Sequence, residues 1–229
     1  MGRFKRHWKA WLIGGIAFLV AAFAGGPWLY IHVFSDPPAQ ELALNNTAQQ
    51  QGDAVPVDGR WTVSDGSQAG YRVKEILFGQ DTTAVGRTEK VTGMVEIAGT
   101  KLTSGTVTVD MGSVATDKSG RDATFRDDLM SVSQFPNAAF ALTGPADLGA
   151  VPPVGQKVTV KATGNLTLRG QTKQVTVELS ALRNAGTIQV QTSIPVAFAD
   201  YGIPKPSVPG ITTDDHGTIE VLLTLKPAR

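Results

Sequence analysis

Residues 158–181 read VTVKATGNLTLRGQTKQVTVELSA, and apolar side chains recur in them at every second position. In the second half of this stretch the apolar positions are Val175, Val177, Leu179 and Ala181, and polar residues separate them. Such alternation is typical of a β-strand with one buried face and one face in water. Gly170 lies between the two halves, and we therefore predict two strands joined by a short turn.

The same two-residue period recurs from Arg60 to the end of the chain. Further runs are Tyr71–Phe78, Val91–Ile97, Thr106–Met111, Ala138–Thr143, Ile188–Phe198 and Ile219–Leu225. Because short turns containing Gly separate most runs, we expect about eight or nine strands in one antiparallel sheet that closes or pairs. A closed barrel of about eight strands is wide enough for one small ligand, whereas a sandwich fills that space with side chains. The two-residue period alone favours neither the barrel nor the sandwich.

One stretch departs from the strand pattern. Ser119–Ser133 reads SGRDATFRDDLMSVS, and Phe125, Leu129 and Met130 form a narrow apolar stripe at helical spacing. We predict one short helix here, which either covers a barrel mouth or packs on the flank of the sheet.

The N-terminal 34 residues have a different composition. Residues 1–10 carry four basic and no acidic side chains, so with a net charge of +1 for the whole chain the rest carries −3. Residues 11–34 contain no Asp, Glu, Lys or Arg, and about 20 apolar residues span a bilayer. We predict a cytoplasmic basic cap at 1–10, a transmembrane signal anchor at 11–34, a flexible linker at 35–59 and a β-domain at 60–229.

A cleaved signal peptide is the alternative to the anchor. Ala22–Ala24 forms a small-x-small cleavage site. The apolar run nevertheless continues to Phe34, and Trp and Tyr residues flank it as in the aromatic belts of spanning helices. Both interpretations keep the basic residues in the cytoplasm. We expect a single-pass protein of the cell membrane with an extracytoplasmic, periplasmic C-terminal domain, or an exported domain if cleavage occurs.

Several motifs of the β-domain resemble those of one known family. They are Trp61, Val109–Thr116 (VDMGSVAT), Arg121 and Asp122 followed by Leu129, Phe135 and Pro136, Gly164–Val175 (GNLTLRGQTKQV), and Ala199–Ile203 (ADYGI). In this order and at this spacing they resemble the YceI-like family, which comprises exported, lipocalin-like β-barrels associated with binding polyisoprenoid lipids. The resemblance implies an all-β, antiparallel closed barrel and an isoprenoid-like lipid as partner. Many members have Val-Lys-His where this chain has Val73, Lys74 and Glu75, so a role of that His does not carry over.

A polyprenyl chain needs a long dry cavity with few polar groups at its mouth. Candidate lining residues are the large apolar side chains Tyr71, Phe78, Phe125, Leu129, Met130, Phe135, Phe140 and Phe198. Candidates for binding a phosphate or diphosphate head group are Arg121, Arg126 and Arg169. Core packing, and pairing of the arginines with Asp122, Asp127 or Asp128, are the alternatives.

The composition weighs against catalysis. The chain has no Cys, and His216 is the only histidine beyond residue 32, which excludes thiolate chemistry and a His pair for zinc in the β-domain. Asp214, Asp215 and His216 are the best candidates for a hydrolase, as general acid and base. We expect a lipid-binding protein without enzymatic activity, cofactor, metal or nucleic-acid partner; an interaction or stress-response module without a small ligand remains an alternative.

Overall fold

The computed structural model describes residues 37–45, 55–206 and 210–228; the predicted basic cap and membrane segment lie outside these ranges. Twelve strands form within the described ranges. They are β1 (Gly59–Val63), β2 (Gln68–Leu77), β3 (Gln80–Thr88), β4 (Val91–Ala98), β5 (Lys101–Asp110), β6 (Asn137–Leu142), β7 (Ala146–Asp147), β8 (Lys157–Leu168), β9 (Gln171–Arg183), β10 (Ile188–Ala197), β11 (Ile211–Thr213) and β12 (His216–Pro227). Among the described residues, no helix has the length and apolar content needed to cross a bilayer.

The sheet closes on itself. Antiparallel pairing runs in the order β1, β4, β5, β6, β8, β9, β10 and β12, and β12 pairs with β1 to complete the ring. A ring of eight strands therefore closes the barrel, which confirms the predicted barrel and decides against the sandwich. Closure removes the unpaired edges that an open sheet of this length would expose.

Two walls of the barrel are each built from two consecutive strands. β12 pairs with β1 near its C-terminal end and with β2 near its N-terminal end, so β1 and β2 form one wall that bends between Ser64 and Ser67. The Ser67 hydroxyl donates to the Ser64 carbonyl at 2.7 Å and accepts from the Thr224 backbone N–H at 2.9 Å, which stabilises the bend. Likewise β3 pairs with β2 and β4 pairs with β1, so β3 and β4 form the neighbouring wall.

Burial along the strands follows the two-residue period of the sequence. Along β10, Thr192, Ile194 and Val196 are buried while the residues between them are exposed. β8 shows the same alternation from Val160 to Leu168. Apolar side chains thus fill or line the barrel, and polar ones cover it.

The predicted helical segment is confirmed, but it is irregular. A short α-helix, α1 (Ser119–Ala123), continues as a π-helical turn over Thr124–Leu129. The Met130 backbone N–H donates to the Phe125 carbonyl at 2.9 Å, five residues back. A π-turn brings residues five apart onto one face, and Phe125 and Met130 are accordingly both buried.

Candidate ligand-binding cavity

The barrel encloses a cavity of about 500 Å³. Its walls come from β2, β3, β5, β6, β8, β10, β11, β12 and the segment that contains α1. Six of the predicted lining residues do line it: Tyr71, Phe125, Leu129, Met130, Phe140 and Phe198. Lys118, Arg121 and Thr124 line the cavity as well, so the segment 118–130 contributes to the cavity wall.

Two predicted lining residues lie elsewhere. Phe78 occupies the turn between β2 and β3 with a φ of 48° and is 62% exposed. In this turn conformation the Phe78 ring lies outside the barrel interior. The Phe78 backbone N–H donates to the Gly210 carbonyl at 2.7 Å. Phe135 packs its ring against Gly170 in the turn between β8 and β9. Neither residue is part of the cavity lining.

Tyr71 joins the barrel wall to the helical segment. Its ring stacks on Phe125 with the centroids 5.0 Å apart and the planes at 13°. The ring also lies over Gly86 on the adjacent strand β3, where a Cβ atom would come within 2.4 Å of the ring. The absence of a side chain at Gly86 therefore allows Tyr71 to lie in the cavity wall beneath Phe125.

Arg121 is the one predicted head-group residue that lines the cavity. Its guanidinium donates to Asp117 Oδ1 at 2.6 Å and lies 3.5 Å from Glu75 Oε2. These partners differ from the three aspartates expected from the sequence. Asp122 instead accepts from the backbone N–H and the hydroxyl of Thr116, both at 2.8 Å, and so holds the loop before α1.

The other two arginines lie outside the cavity lining. Arg169 has a φ of 46° at the turn between β8 and β9. It donates to the Gly202 carbonyl and, at 3.2 Å, to the Ser131 hydroxyl. These bonds join three loops, so the Arg169 side chain stabilises the fold. Arg126 is half-buried in the π-helical turn.

Glu75 and Thr213 line the cavity as well, and sequence reasoning did not select them. Glu75 is the residue at which the chain departs from Val-Lys-His, and that departure was the available signal. Thr213 ends the three-residue strand β11, which is too short to show a period. It is 3% exposed, and its hydroxyl has no hydrogen-bond partner in the part of the chain that the structure describes.

Burial is the largest cause of the pKa shifts of Glu75 and Tyr71, which both line the cavity. Burial raises the pKa of Glu75, and Arg121 opposes the shift while Asp117 adds to it. Burial also raises the pKa of Tyr71, again against the effect of Arg121. The phenol therefore keeps its proton at neutral pH and is a hydrogen-bond donor.

A second, smaller cavity of about 140 Å³ lies further along the barrel interior. Its lining is dominated by aliphatic side chains of β4, β8, β9, β10 and β12. Val107, Phe140, Ile194 and Val221 line both cavities. The two spaces are thus neighbours, and Phe140, whose ring packs on Gly164, belongs to the lining of both.

The residues of the hydrolase alternative lie on the barrel surface. His216 Nδ1 is 2.9 Å from Asp215 Oδ1, and both side chains are mostly exposed. The hydrogen bond from His216 lowers the pKa of Asp215. Asp214, Asp215 and His216 are not among the cavity-lining residues. Within the described ranges, no group of three His, Cys, Asp or Glu side chains is placed to hold a metal ion.

The described residues thus form a closed eight-stranded barrel with an apolar cavity. The family model of the YceI-like domain matches residues 61–225. The chain belongs to the YceI-like family. No match to this YceI-like protein was found among curated proteins.

Solved structures share the fold of this YceI-like domain. A polyisoprenoid-binding domain from Saccharophagus degradans, implicated in plant cell wall breakdown, is 18% identical, with a TM-score of 0.60 over 74% of this chain and 99% of that one. BcnA from Burkholderia cenocepacia is 19% identical, with a TM-score of 0.52 over 67% of this chain and 95% of that one. At these identities the likeness establishes the fold.

Proposed function

We propose that this YceI-like protein is a membrane-anchored, extracytoplasmic lipid-binding protein that holds a polyisoprenoid or similar long apolar chain in its barrel, without a catalytic step. The observation that carries the proposal is the apolar cavity of about 500 Å³. Its volume lies within the range of roughly 300–1,000 Å³ that is usual for small-molecule sites.

The chemistry of the lining favours a hydrocarbon chain. Most of the lining is aliphatic or aromatic, and its polar side chains are few. Burial of each methylene group contributes roughly 0.8 kcal/mol, so a long unbranched or isoprenoid chain gains affinity along its whole length. Met130 adds adaptability, because a thioether side chain repacks easily around a flexible ligand.

The relative from Saccharophagus degradans is described as a polyisoprenoid-binding domain, which supports the same ligand class here. The membrane anchor rests on the basic residues at 1–10 and the uncharged segment at 11–34. An anchored barrel near the bilayer can exchange a lipid with the membrane over a short distance.

Mass spectrometry of bound lipid tests the proposal. The full-length chain is purified from membranes, extracted with organic solvent and compared with the variant Val196→Phe. Val196 is buried in the cavity wall, and a larger ring there fills space that the ligand needs. We expect an isoprenoid-like lipid with the natural chain and a reduced amount with Val196→Phe.

Ala197→Phe is the matched control, since Ala197 is the next residue of β10 and is exposed. It should retain the lipid. If the natural chain carries no apolar lipid and takes up no polyprenyl chain when one is offered, lipid binding is refuted.

A further inference from the structure

Four of the polar side chains that line the cavity lie where β2, β11 and the helical segment meet. Thr213 and Glu75 are directly opposed in the pairing of β11 with β2, and opposed residues of an antiparallel pair point to the same face. Both line the cavity, as do Arg121 and Tyr71. We call these four residues the polar end of the cavity.

The Thr213 hydroxyl is the observation that points to a ligand. It is almost completely buried and has no partner among the described residues. Buried hydroxyl groups in folded proteins are nearly always hydrogen-bonded, because leaving one unpaired destabilises the fold. A polar ligand atom in the cavity would supply the missing partner.

The charges near the polar end do not favour an anion. The two cations that line this part of the cavity, Lys118 and Arg121, are both paired with carboxylates: Lys118 with Asp117 at 3.9 Å, and Arg121 with Asp117 and Glu75. Together with Asp122, these groups carry a formal charge of −1. A phosphate or diphosphate would bring further negative charge beside the largely buried Glu75 carboxylate, which is unfavourable at low local dielectric.

We propose that the polar end binds an uncharged hydroxyl head group, so that the preferred ligand is a long-chain apolar alcohol and not its phosphate or diphosphate ester. The inference rests on the proposed function, since it specifies the head group of the lipid in the same cavity. A hydroxyl group both donates and accepts. It donates to the Glu75 carboxylate and accepts from the hydroxyl of Thr213 or Tyr71. Glu75 thus acts by attracting the alcohol and by repelling the esters.

Four probes test the head group. The full-length chain is reconstituted in phosphatidylcholine nanodiscs, and binding of labelled squalene, a polyprenol, its monophosphate and its diphosphate is compared with binding to empty discs. We expect the alcohol to bind at least about tenfold more tightly than either ester and roughly three- to tenfold more tightly than squalene, as one or two hydrogen bonds predict.

The outcomes separate the two proposals. Binding of an ester as tight as that of the alcohol overturns the head-group inference, while the apolar-chain function stands. Binding of squalene as tight as that of the alcohol also overturns the head-group inference and leaves the apolar-chain function standing. If none of the four probes binds, including squalene, the proposed function fails and the inference fails with it.

Two conservative variants test which residues produce the preference for the alcohol. Thr213→Val keeps the shape of the side chain and removes an unpaired hydroxyl, so the empty protein keeps its stability. We expect it to weaken polyprenol binding roughly three- to tenfold and to leave squalene binding unchanged. Thr176→Val, on the exposed face of β9, is the control. An unchanged affinity for the alcohol, or an equal loss for squalene, overturns the role of Thr213.

Glu75→Gln removes the repulsive charge at the polar end. The affinity for the monophosphate should rise at least about fivefold, because Arg121 then loses one of its two carboxylate partners among the described residues. Glu178→Gln, at an exposed position of β9, should have no effect. An unchanged or lower affinity for the monophosphate in Glu75→Gln contradicts the proposed exclusion of esters.

Discussion

Arg87 binds the carboxylate of Glu220 across the backbone of Gly70. In the register of the sheet, Gly70 on β2 is paired with Arg87 of β3 on one side and with Glu220 of β12 on the other. The guanidinium therefore crosses an entire strand to reach its partner. Only a residue without a side chain at position 70 leaves this path open.

Arg72 contributes a second ion pair to the same carboxylate, at 3.1 Å, and Glu220 is 2% exposed. The two arginines also donate to the carbonyls of Ala39 and Gln40, at 2.6 and 3.5 Å. The described part of the segment predicted as a linker thus contacts the outer wall of the barrel. These contacts shield the ion pairs from water.

Gly70→Ala should destabilise the barrel. A Cβ atom at this position would come within 1.9 Å of the Gly86 carbonyl oxygen and 2.8 Å of Arg87 Nη1, so the strand and the ion pair must both shift. We expect a loss of about 2 kcal/mol in the free energy of unfolding, measured by urea denaturation. Gly144→Ala, where the added Cβ would meet nothing within 4 Å, is the control. Equal midpoints for the two variants would show that the barrel tolerates the displacement.

Phe140→Ala should join the two cavities. Phe140 is the largest side chain that lines both cavities, and we expect its removal to leave a continuous apolar space along the barrel. We expect the lipids recovered from the purified variant to shift toward longer chains by mass spectrometry, with a stability loss of about 3 kcal/mol. Phe135→Ala removes a ring that lines neither cavity and should leave the chain-length distribution as it is. The same distribution in Phe140→Ala would argue against a continuous binding path.

The stability of the barrel should depend on the ionisation of Glu75. Below its ordinary pKa of 4.5 the group is protonated in both the folded and the unfolded chain. Because burial raises the pKa in the folded state, folding loses stability as the pH rises through the folded pKa. Glu75→Gln lacks this loss. The free energy of unfolding of Glu75→Gln, relative to the natural chain, should therefore increase from about pH 4 to about pH 7.

Urea denaturation at several pH values measures this difference, with Glu178→Gln as the exposed control. A relative stability that decreases over the same interval would mean that pairing with Arg121 outweighs the burial of Glu75.

The proposed membrane topology can be read from single cysteines, because the chain has none of its own. Lys173→Cys, on the exposed part of β9, should react with a membrane-impermeant maleimide in intact cells. Lys5→Cys, in the predicted cytoplasmic cap, should react only after lysis. Labelling of Lys173→Cys only after lysis contradicts the extracytoplasmic location. A mature chain that begins at Gly25, found by N-terminal sequencing, would support the cleaved form.

The local period of the sequence predicts much of this structure. Eight predicted runs of the two-residue period correspond to strands, and the helical segment with Phe125, Leu129 and Met130 follows from a period of about 3.6 residues. No predicted run covers β3, β7 or β11. Two residues that we predicted to line the cavity lie outside it, and the cause is local in both cases. Phe78 and Phe135 belong to turns or lie next to them, where the alternation of a strand no longer defines a face.

The sequence by itself determined that this chain alternates apolar and polar faces over the β-domain, because side-chain direction in a strand depends only on position along it. Only the tertiary structure decided which strands are neighbours, since the hydrogen bonds that align them join residues far apart in the chain. Closure of β12 on β1, the opposition of Thr213 and Glu75, and the ion pair of Arg87 with Glu220, 133 residues away, arise in this way. Long-range register, which no local pattern encodes, placed the polar end of the cavity.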